Sequence, residues 1–267
     1  MLSDFLVIKK RFMTCHYHKK LQEEIKRYCN NHLPNNDWYE KEFDFIHDVS
    51  LKNRIIREFK SIRYAYKLYE GITAEEEHLI FEIRSQILAY ASIYEAVVEY
   101  VLETYYSDTQ VYDDLVHQNN VMTKIDIPEE KRKKLERELI HLVDNGTKNI
   151  EIHTFFYQRK RKASTSIRFD AKCRAAEELN IISKIYQKGN KVVADLPSDI
   201  IEIYEYRNAI HLIAEQRKNI DYELELSQRA YRRMKPFIEQ IKDRLITDNK
   251  LIIKNTKDTL TDSSIKN

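Results

Sequence analysis

The sequence predicts an all-α protein, and three observations support this. The 267-residue chain contains only three glycines and four prolines, which is very few for its length. Turns and hairpins need these residues, whereas helices avoid them. Apolar residues recur at the i, i+3, i+4 spacing of amphipathic helices. Lys, Arg, Asp and Glu make up 33% of the chain, which is typical of long, solvated helix faces. A chain of this length can bury one large core or two small ones.

The first 72 residues read as an N-terminal helical extension. The periodicity predicts helical segments at 3–30, around 38–46 and at about 49–70. A polar, proline-containing stretch breaks the first helix, and Gly71 is placed to end the last one.

A helical bundle is expected over residues 73–246. Thr73 and Glu76 form a capping pair that opens the longest amphipathic pattern, which runs to Tyr105. Glu95 lies at the edge of the apolar stripe of this helix. We expect it to be a solvated flank rather than an inward-facing partner for a base.

Residues from about 107 to 169 read as a helical or irregular insertion into this bundle. The part at 107–127 is polar and irregular, and a charged helix is predicted from Pro128 to Val143. Residues 150–157 alternate like a strand, but a helix fits them equally well.

A basic run within the insertion, Arg159, Lys160, Arg161 and Lys162, directly follows three aromatic residues. Basic residues beside exposed aromatics are typical of single-stranded RNA binding, through phosphate contacts and base stacking. The alternative is a solvated charge run over aromatic residues that belong to the core.

The C-terminal part of the chain continues the helical pattern. Helices are predicted over 170–188, 199–215 and about 222–246, with a polar tail at 247–267. Pro197, Ser198 and Asp199, with Glu202 three residues on, are expected to cap the second of these helices.

The helix predicted at 199–215 carries polar residues where its apolar stripe should continue. Ile200, Ile203 and Tyr204 follow the stripe, but Arg207 and His211 occupy its next positions. Residues four apart project from nearly the same side of a helix. Burying both groups costs roughly several kcal/mol unless they are paired. We therefore expect an internal ion pair, a polar subunit interface or a functional site.

Four stretches of the chain, in this order, resemble the HEPN superfamily of helical bundles: LAYASIYEAVVEYVLE (88–103), CRAAEELNIISKIYQKGN (173–190), DIIEIYEYRNAIHLIAE (199–215) and SQRAYRRMKPFIEQIKDRL (227–245). Many members of that superfamily are metal-independent endoribonucleases, often toxins or antiphage effectors. The resemblance implies an up-and-down bundle that acts as a homodimer on RNA. It also suggests an antitoxin or a regulatory protein as a partner.

By this resemblance the catalytic residues are Arg207, Asn208 and His211. The family usually places more residues between its arginine and histidine than the three found here. RNA carries its own nucleophile, the 2′-hydroxyl, so no metal or cofactor is expected, and the product carries a 2′,3′-cyclic phosphate. His211 would exchange protons near its ordinary pKa of ~6.5, and Arg207 would hold the phosphate. Asn208 would orient the arginine or the substrate.

Two further basic residues, Arg232 and Arg233 on the closing helix, are expected to extend an RNA-binding rim. The competing interpretation is a non-catalytic RNA-binding or dimeric scaffold protein. In that case, Arg207 forms a structural bridge to a glutamate and the histidine is satisfied by its neighbours.

Composition excludes several other classes of protein. Three glycines are too few for a dinucleotide fingerprint or a P-loop, and three cysteines predict no disulfide framework. Cys15, His18, Cys29 and His32 have zinc-like spacing, but the first pair lies mid-helix and far from the second, so no metal site is expected. No stretch approaches the ~18 apolar residues of a membrane span. The odd number of cysteines implies a reducing compartment, so we expect a cytoplasmic protein that contacts no membrane. The net charge of +2 argues against a chain bound everywhere to nucleic acid.

Overall fold

The computed structural model of this protein describes residues 18–143, 151–186, 192–210, 217 and 221–251. The chain is mostly helical, which confirms the predicted all-α class at this level. The helices are α1 (Lys19–Asn31), α2 (Asn36–Glu42), α3 (Val49–Gly71), α4 (Glu76–Tyr105), α5 (Gln110–Val116), α6 (Glu129–Val143), α7 (Phe169–Glu178), α8 (Leu196–Ala209) and α9 (Leu224–Thr247). Two short antiparallel ribbons pair β1 (His117–Lys124) with β2 (Phe155–Arg161) and β3 (Lys184–Tyr186) with β4 (Val192–Asp195).

Helix α4 is the central element of the bundle, with α3, α7, α8 and α9 packed around it. Its thirty residues include no glycine or proline, so nothing in its sequence interrupts the helix. Tyr94 is fully buried at its middle, where its ring meets the edge of Phe237 at 4.9 Å and its hydroxyl donates to the Ala230 carbonyl at 2.7 Å. Each large side chain buried in this way stabilises the fold by about 1.5–3 kcal/mol.

The start of α4 differs from the prediction. Thr73 and Glu76 do not form a capping pair, because Glu75 is the N-cap residue and makes no side-chain cap hydrogen bond. Thr73 and Glu76 instead adopt left-handed backbone conformations, with φ of 52° and 49°. The chain therefore turns sharply between α3 and α4, which pack against each other. The end of α3 at Gly71 is as predicted.

The insertion is more regular than its composition suggests. Residues predicted to be irregular at 107–127 form α5 and β1. For residues 150–157, the strand interpretation is correct from Phe155 onward, since β2 begins there and pairs with β1. The register of this ribbon shifts between Gln118 and Val121.

Helix α7 is shorter than the predicted helix at 170–188. It ends at Glu178, and Asn180 then adopts a left-handed φ of 54°, which leads the chain into β3. The β3–β4 ribbon delivers the chain to the start of α8. Residues 187–191, between these two strands in the chain, lie outside the described residues.

Helix α8 is capped by a residue other than those predicted. The side chain of Asp195 accepts a hydrogen bond from the Ser198 N–H at 3.2 Å, and Pro197 occupies the first turn, where its missing N–H costs nothing. The Lys184 ammonium on β3 lies 3.0 Å from the Asp195 carboxylate. At its other end α8 stops at Ala209, with Ile210 as the C-cap residue, earlier than the predicted end at 215.

Candidate functional site

A surface cavity of about 490 Å³ lies beside the C-terminal half of α8. Its walls come from α4, from the segment between Ser164 and Lys172 that leads into α7, and from α8 itself. Asn208, one of the predicted catalytic residues, lines it, and the neighbouring Arg207 contacts Tyr204 and Glu95 on the same wall.

Tyr204 is the residue that organises this wall. Its hydroxyl donates to Glu95 Oε1 at 2.8 Å, and its ring packs on Phe169 with 4.3 Å between ring centroids. Burial raises the pKa of Tyr204, and the hydrogen bond to the Glu95 carboxylate raises it further. The phenol is therefore neutral at physiological pH and remains a hydrogen-bond donor.

Arg207 is held from three directions. Its Nη1 group donates to the Tyr204 hydroxyl at 3.3 Å and to Asn208 Oδ1 at 3.0 Å. Its Nη2 atom lies 3.9 Å from Glu95 Oε2, and the guanidinium lies 5.0 Å from the centre of the Tyr204 ring. The side chain nevertheless remains 33% exposed. A guanidinium has five N–H donors, so these contacts orient Arg207 and, within the described residues, leave it donors for a ligand.

The expectation that Glu95 is a solvated flank is wrong. Its side chain is 30% exposed, and its carboxylate accepts a hydrogen bond from the Tyr204 hydroxyl and faces Arg207. The sequence offered one signal of this, because Glu95 directly follows Tyr94 in the most deeply buried part of α4. Periodicity alone did not reveal which helix would pack against that edge.

His211, the predicted proton-transfer residue, lies outside the described residues. Its placement relative to Arg207 therefore remains an expectation from the sequence.

The cavity wall carries more carboxylates than basic groups. Of the described residues, four acidic ones line it: Glu95, Glu99, Asp170 and Glu205. Arg168 and Lys172 are the basic residues in this lining, and both are paired, Arg168 Nε with Asp170 at 3.0 Å and Lys172 Nζ with Glu99 at 2.7 Å. An anion would therefore bind most favourably beside Arg207, which contacts three of the lining residues, Glu95, Tyr204 and Asn208.

A second, smaller cavity joins this site to the end of β2. The two cavities share Glu99, Ser164, Ile167 and Lys172 in their walls. Arg161 and Lys162 line the smaller one. The candidate site and the predicted basic run are therefore neighbours on the surface.

The four residues of the basic run have different environments. Arg159 Nη2 lies 2.5 Å from carboxylate oxygens of both Asp113 and Asp114, which neutralise it. Lys162 Nζ donates to the Leu115 carbonyl at 2.8 Å, whereas Lys160 is exposed. The aromatic residues just before the run are also exposed, so the interpretation that they belong to the core is wrong.

Arg232 and Arg233 on α9 do not line the cavity next to Arg207. Arg233 Nε donates to Asp199 Oδ2 at 2.5 Å, near the start of α8. Arg232 donates to Glu225 and Gln228, and it lines a separate cavity of about 290 Å³ between α3, α4 and α9. Their proposed contact with RNA stays a prediction.

No protein-family model, curated protein or solved structure matches this chain. Among the residues that the structure describes, no three His, Cys, Asp or Glu side chains are grouped as a metal site requires. Of the helices in those same ranges, none combines the length and apolarity that a bilayer crossing demands. Cys15 of the zinc-like pattern falls outside the described residues, and His32 Nδ1 lies 2.7 Å from the Tyr28 carbonyl oxygen.

Proposed function

We propose that this chain is a HEPN-type endoribonuclease that cleaves RNA without a metal ion and leaves a 2′,3′-cyclic phosphate. The observation that carries the proposal is the oriented, partly exposed Arg207, whose contacts Glu95, Tyr204 and Asn208 line a cavity. A toxin or phage-defence role, with an antitoxin or regulatory protein as partner, follows from the resemblance to that superfamily.

In this proposal, Arg207 binds the scissile phosphate. Its guanidinium would make charge-assisted hydrogen bonds to the phosphate oxygens and stabilise the charge that develops in the transition state. Tyr204 and Glu95 are positioning residues, because the Tyr204 hydroxyl accepts a hydrogen bond from Arg207 and donates one to Glu95. Asn208 accepts from Arg207 and lines the cavity, which supports a role in orienting the arginine or the substrate.

His211 supplies the proton transfer. An imidazole with an ordinary pKa exchanges protons readily at physiological pH. A homodimer through the region of α8 would bring two histidines to one site, one to accept the 2′-hydroxyl proton and one to protonate the leaving oxygen.

The competing function is a non-catalytic RNA-binding or dimeric scaffold protein. The excess of carboxylates in the cavity wall favours the dimeric scaffold, since these groups repel the phosphates of RNA. The contact between Arg207 and Glu95 would then be a structural one.

Incubation of the protein with RNA in EDTA separates the two functions. We expect wild type to cleave, His211→Ala and Arg207→Ala to lose at least about a hundred-fold of the rate, and products to end in a 2′,3′-cyclic phosphate. Arg57→Ala removes an exposed arginine on α3 and serves as the matched control. Circular dichroism and sedimentation would verify that every variant is folded and dimeric. Absence of cleavage by wild type, or cleavage only with added magnesium, would contradict the ribonuclease.

A further inference from the structure

The β1–β2 ribbon exposes a row of large apolar side chains. Phe155, Phe156 and Tyr157 have exposed fractions of 46%, 45% and 69%, and Met122 on the facing strand is 58% exposed. Exposed apolar groups clustered in this way are typical of binding surfaces. The ribbon is joined to the bundle at its other end, where the Lys162 N–H donates to the Val116 carbonyl at 2.8 Å.

The strand register places two of these rings on one face. Side chains two residues apart on a strand point the same way, about 7 Å apart, so Phe155 and Tyr157 are neighbours. Directly opposite them on β1 lie Lys124 and Met122. The Lys124 side chain is 70% exposed, and its ammonium lies 3.9 Å from the Asp126 carboxylate at the surface. One face of the ribbon thus combines two aromatic rings, a thioether and an ammonium group.

Basic residues continue along β2 toward the candidate site. Arg161, on the same strand face as Phe155 and Tyr157, lines the small cavity next to the larger one together with Lys162. Lys160 is exposed on the opposite face, and Arg159 is paired with two aspartates. Aromatic rings spaced along basic residues suit a polyanion that carries flat bases, because each base can stack while its phosphate meets a cation.

This arrangement favours single strands over duplexes. Base faces are accessible in a single strand but are stacked inside a duplex, where rings such as Phe155 and Tyr157 cannot reach them. The geometry points to the ribbon as a platform that stacks two bases of single-stranded RNA on Phe155 and Tyr157 and leads the strand toward Arg207. This inference rests on the proposed function for the identity of the strand as substrate, although binding is measurable without cleavage.

The test is a binding measurement on the full chain in EDTA. A fluorescently labelled, 2′-O-methylated oligouridine of about twelve nucleotides gives the affinity by anisotropy and cannot be cleaved through its 2′-oxygen. We expect Tyr157→Ala and Phe155→Ala each to weaken binding about ten-fold, and a duplex of the same length to bind less well than the single strand. Tyr157→Phe keeps the ring and should bind like wild type.

Phe81→Ala is the matched control, because Phe81 is an aromatic residue on α4 with an exposed fraction of 60%, outside the ribbon. Equal binding by wild type and both alanine variants would overturn the platform, as would preference for the duplex. Failure of wild type to bind any single strand would also overturn it and would favour a protein partner for this surface.

The cleavage assay keeps this inference distinct from the proposed function. Binding that depends on Tyr157 without any cleavage by wild type would leave the platform standing and contradict the ribonuclease. Cleavage in EDTA with the same KM in the alanine variants and wild type would contradict the platform alone.

Discussion

Arg207 on α8 and Glu95 on α4 face each other at 3.9 Å between Nη2 and Oε2, and the Tyr204 hydroxyl contacts both side chains. The pair is about a third exposed and the distance is long for an ion pair. Such a contact contributes about 0–1 kcal/mol to stability. Its principal effect is therefore to orient the arginine rather than to hold the fold together.

Replacement of Glu95 by glutamine tests this interpretation. Glu95→Gln keeps an acceptor for Tyr204 but removes the negative charge that competes with phosphate for Arg207. We expect RNA to bind several-fold more tightly and the free energy of unfolding to change by less than about 1 kcal/mol. Urea denaturation and RNA-binding titrations measure the two effects. A loss of more than about 2 kcal/mol would instead identify a structural bridge.

Removal of the Tyr204 hydroxyl should impair the site more than the fold. Tyr204→Phe retains the ring contact with Phe169 but frees Arg207 and Glu95 from their shared partner. We expect a loss of about 1 kcal/mol in unfolding free energy. We also expect kcat for RNA to fall about ten-fold or more, because the guanidinium is no longer held in place. Tyr206→Phe on the same helix is the control, and identical kinetics for the two variants would refute a positioning role.

Glu82 is a buried carboxyl group on α4, and its ionisation should destabilise the fold as the pH rises. Burial raises its pKa above the ordinary 4.5, although the hydrogen bond from Gln86 acts in the other direction. Its Oε2 atom has no hydrogen-bond partner in the described part of the chain. Stability is thus greatest when this group is protonated and is lost as the pH rises through its raised pKa.

Glu82→Gln removes that titration while keeping the side chain's shape. We expect the variant to gain about 1 kcal/mol over wild type at pH 8 and less at pH 5. Chemical denaturation at both pH values gives the comparison. A variant that is less stable than wild type at both would show that the carboxylate is satisfied in the native state.

Asp195 controls where α8 begins. Burial acts to raise its pKa, but hydrogen bonds from Lys184 and from Ser198 outweigh that effect and lower it. Its contribution to stability is therefore present at neutral pH and is lost as the pH falls through the lowered pKa. We expect Asp195→Ala to cost about 1–2 kcal/mol at pH 7.

At acidic pH the Asp195→Ala substitution should cost less stability, because the Asp195 carboxyl of wild type is then protonated and no longer forms a charged cap. Thermal unfolding at pH 7 and pH 3 measures the difference. Asp195→Asn keeps the acceptor for Ser198 and loses the ion pair with Lys184, so it should lie between the other two proteins. An alanine variant as stable as wild type at pH 7 would rule out the cap.

Local patterns predicted α3 and α9 best, because each of these two helices has a long apolar stripe and ends at a clear break. Gly71 ends α3 as expected, and α9 begins and ends close to the predicted bounds. The β3–β4 ribbon was missed because its two short strands are recognised only through their pairing with each other. The cap of α8 was missed for a similar reason, since Asp195 serves both as the end of β4 and as the N-cap residue.

The candidate site was partly predictable, because local spacing reveals a residue that interrupts an apolar stripe but does not reveal its partners on other helices. Arg207 was conspicuous because it interrupts an apolar stripe, which local spacing reveals. Its partner Glu95 lies on another helix, more than a hundred residues away in the chain, and only tertiary packing brings the two together. The exposed aromatic residues of β2 could not be distinguished from core residues by composition, because their exposure depends on how the folded ribbon packs, which local sequence does not reveal.

The central claim is that the RNA's own 2′-hydroxyl attacks its phosphate, with Arg207 and His211 assisting and no metal present. The most direct measurement compares cleavage in EDTA of an RNA oligonucleotide and of the same sequence with every 2′-hydroxyl methylated. We predict that the unmodified RNA is cut and that the methylated strand, bound with similar affinity, stays intact. Equal cleavage of both strands, or no cleavage of either, would contradict the account.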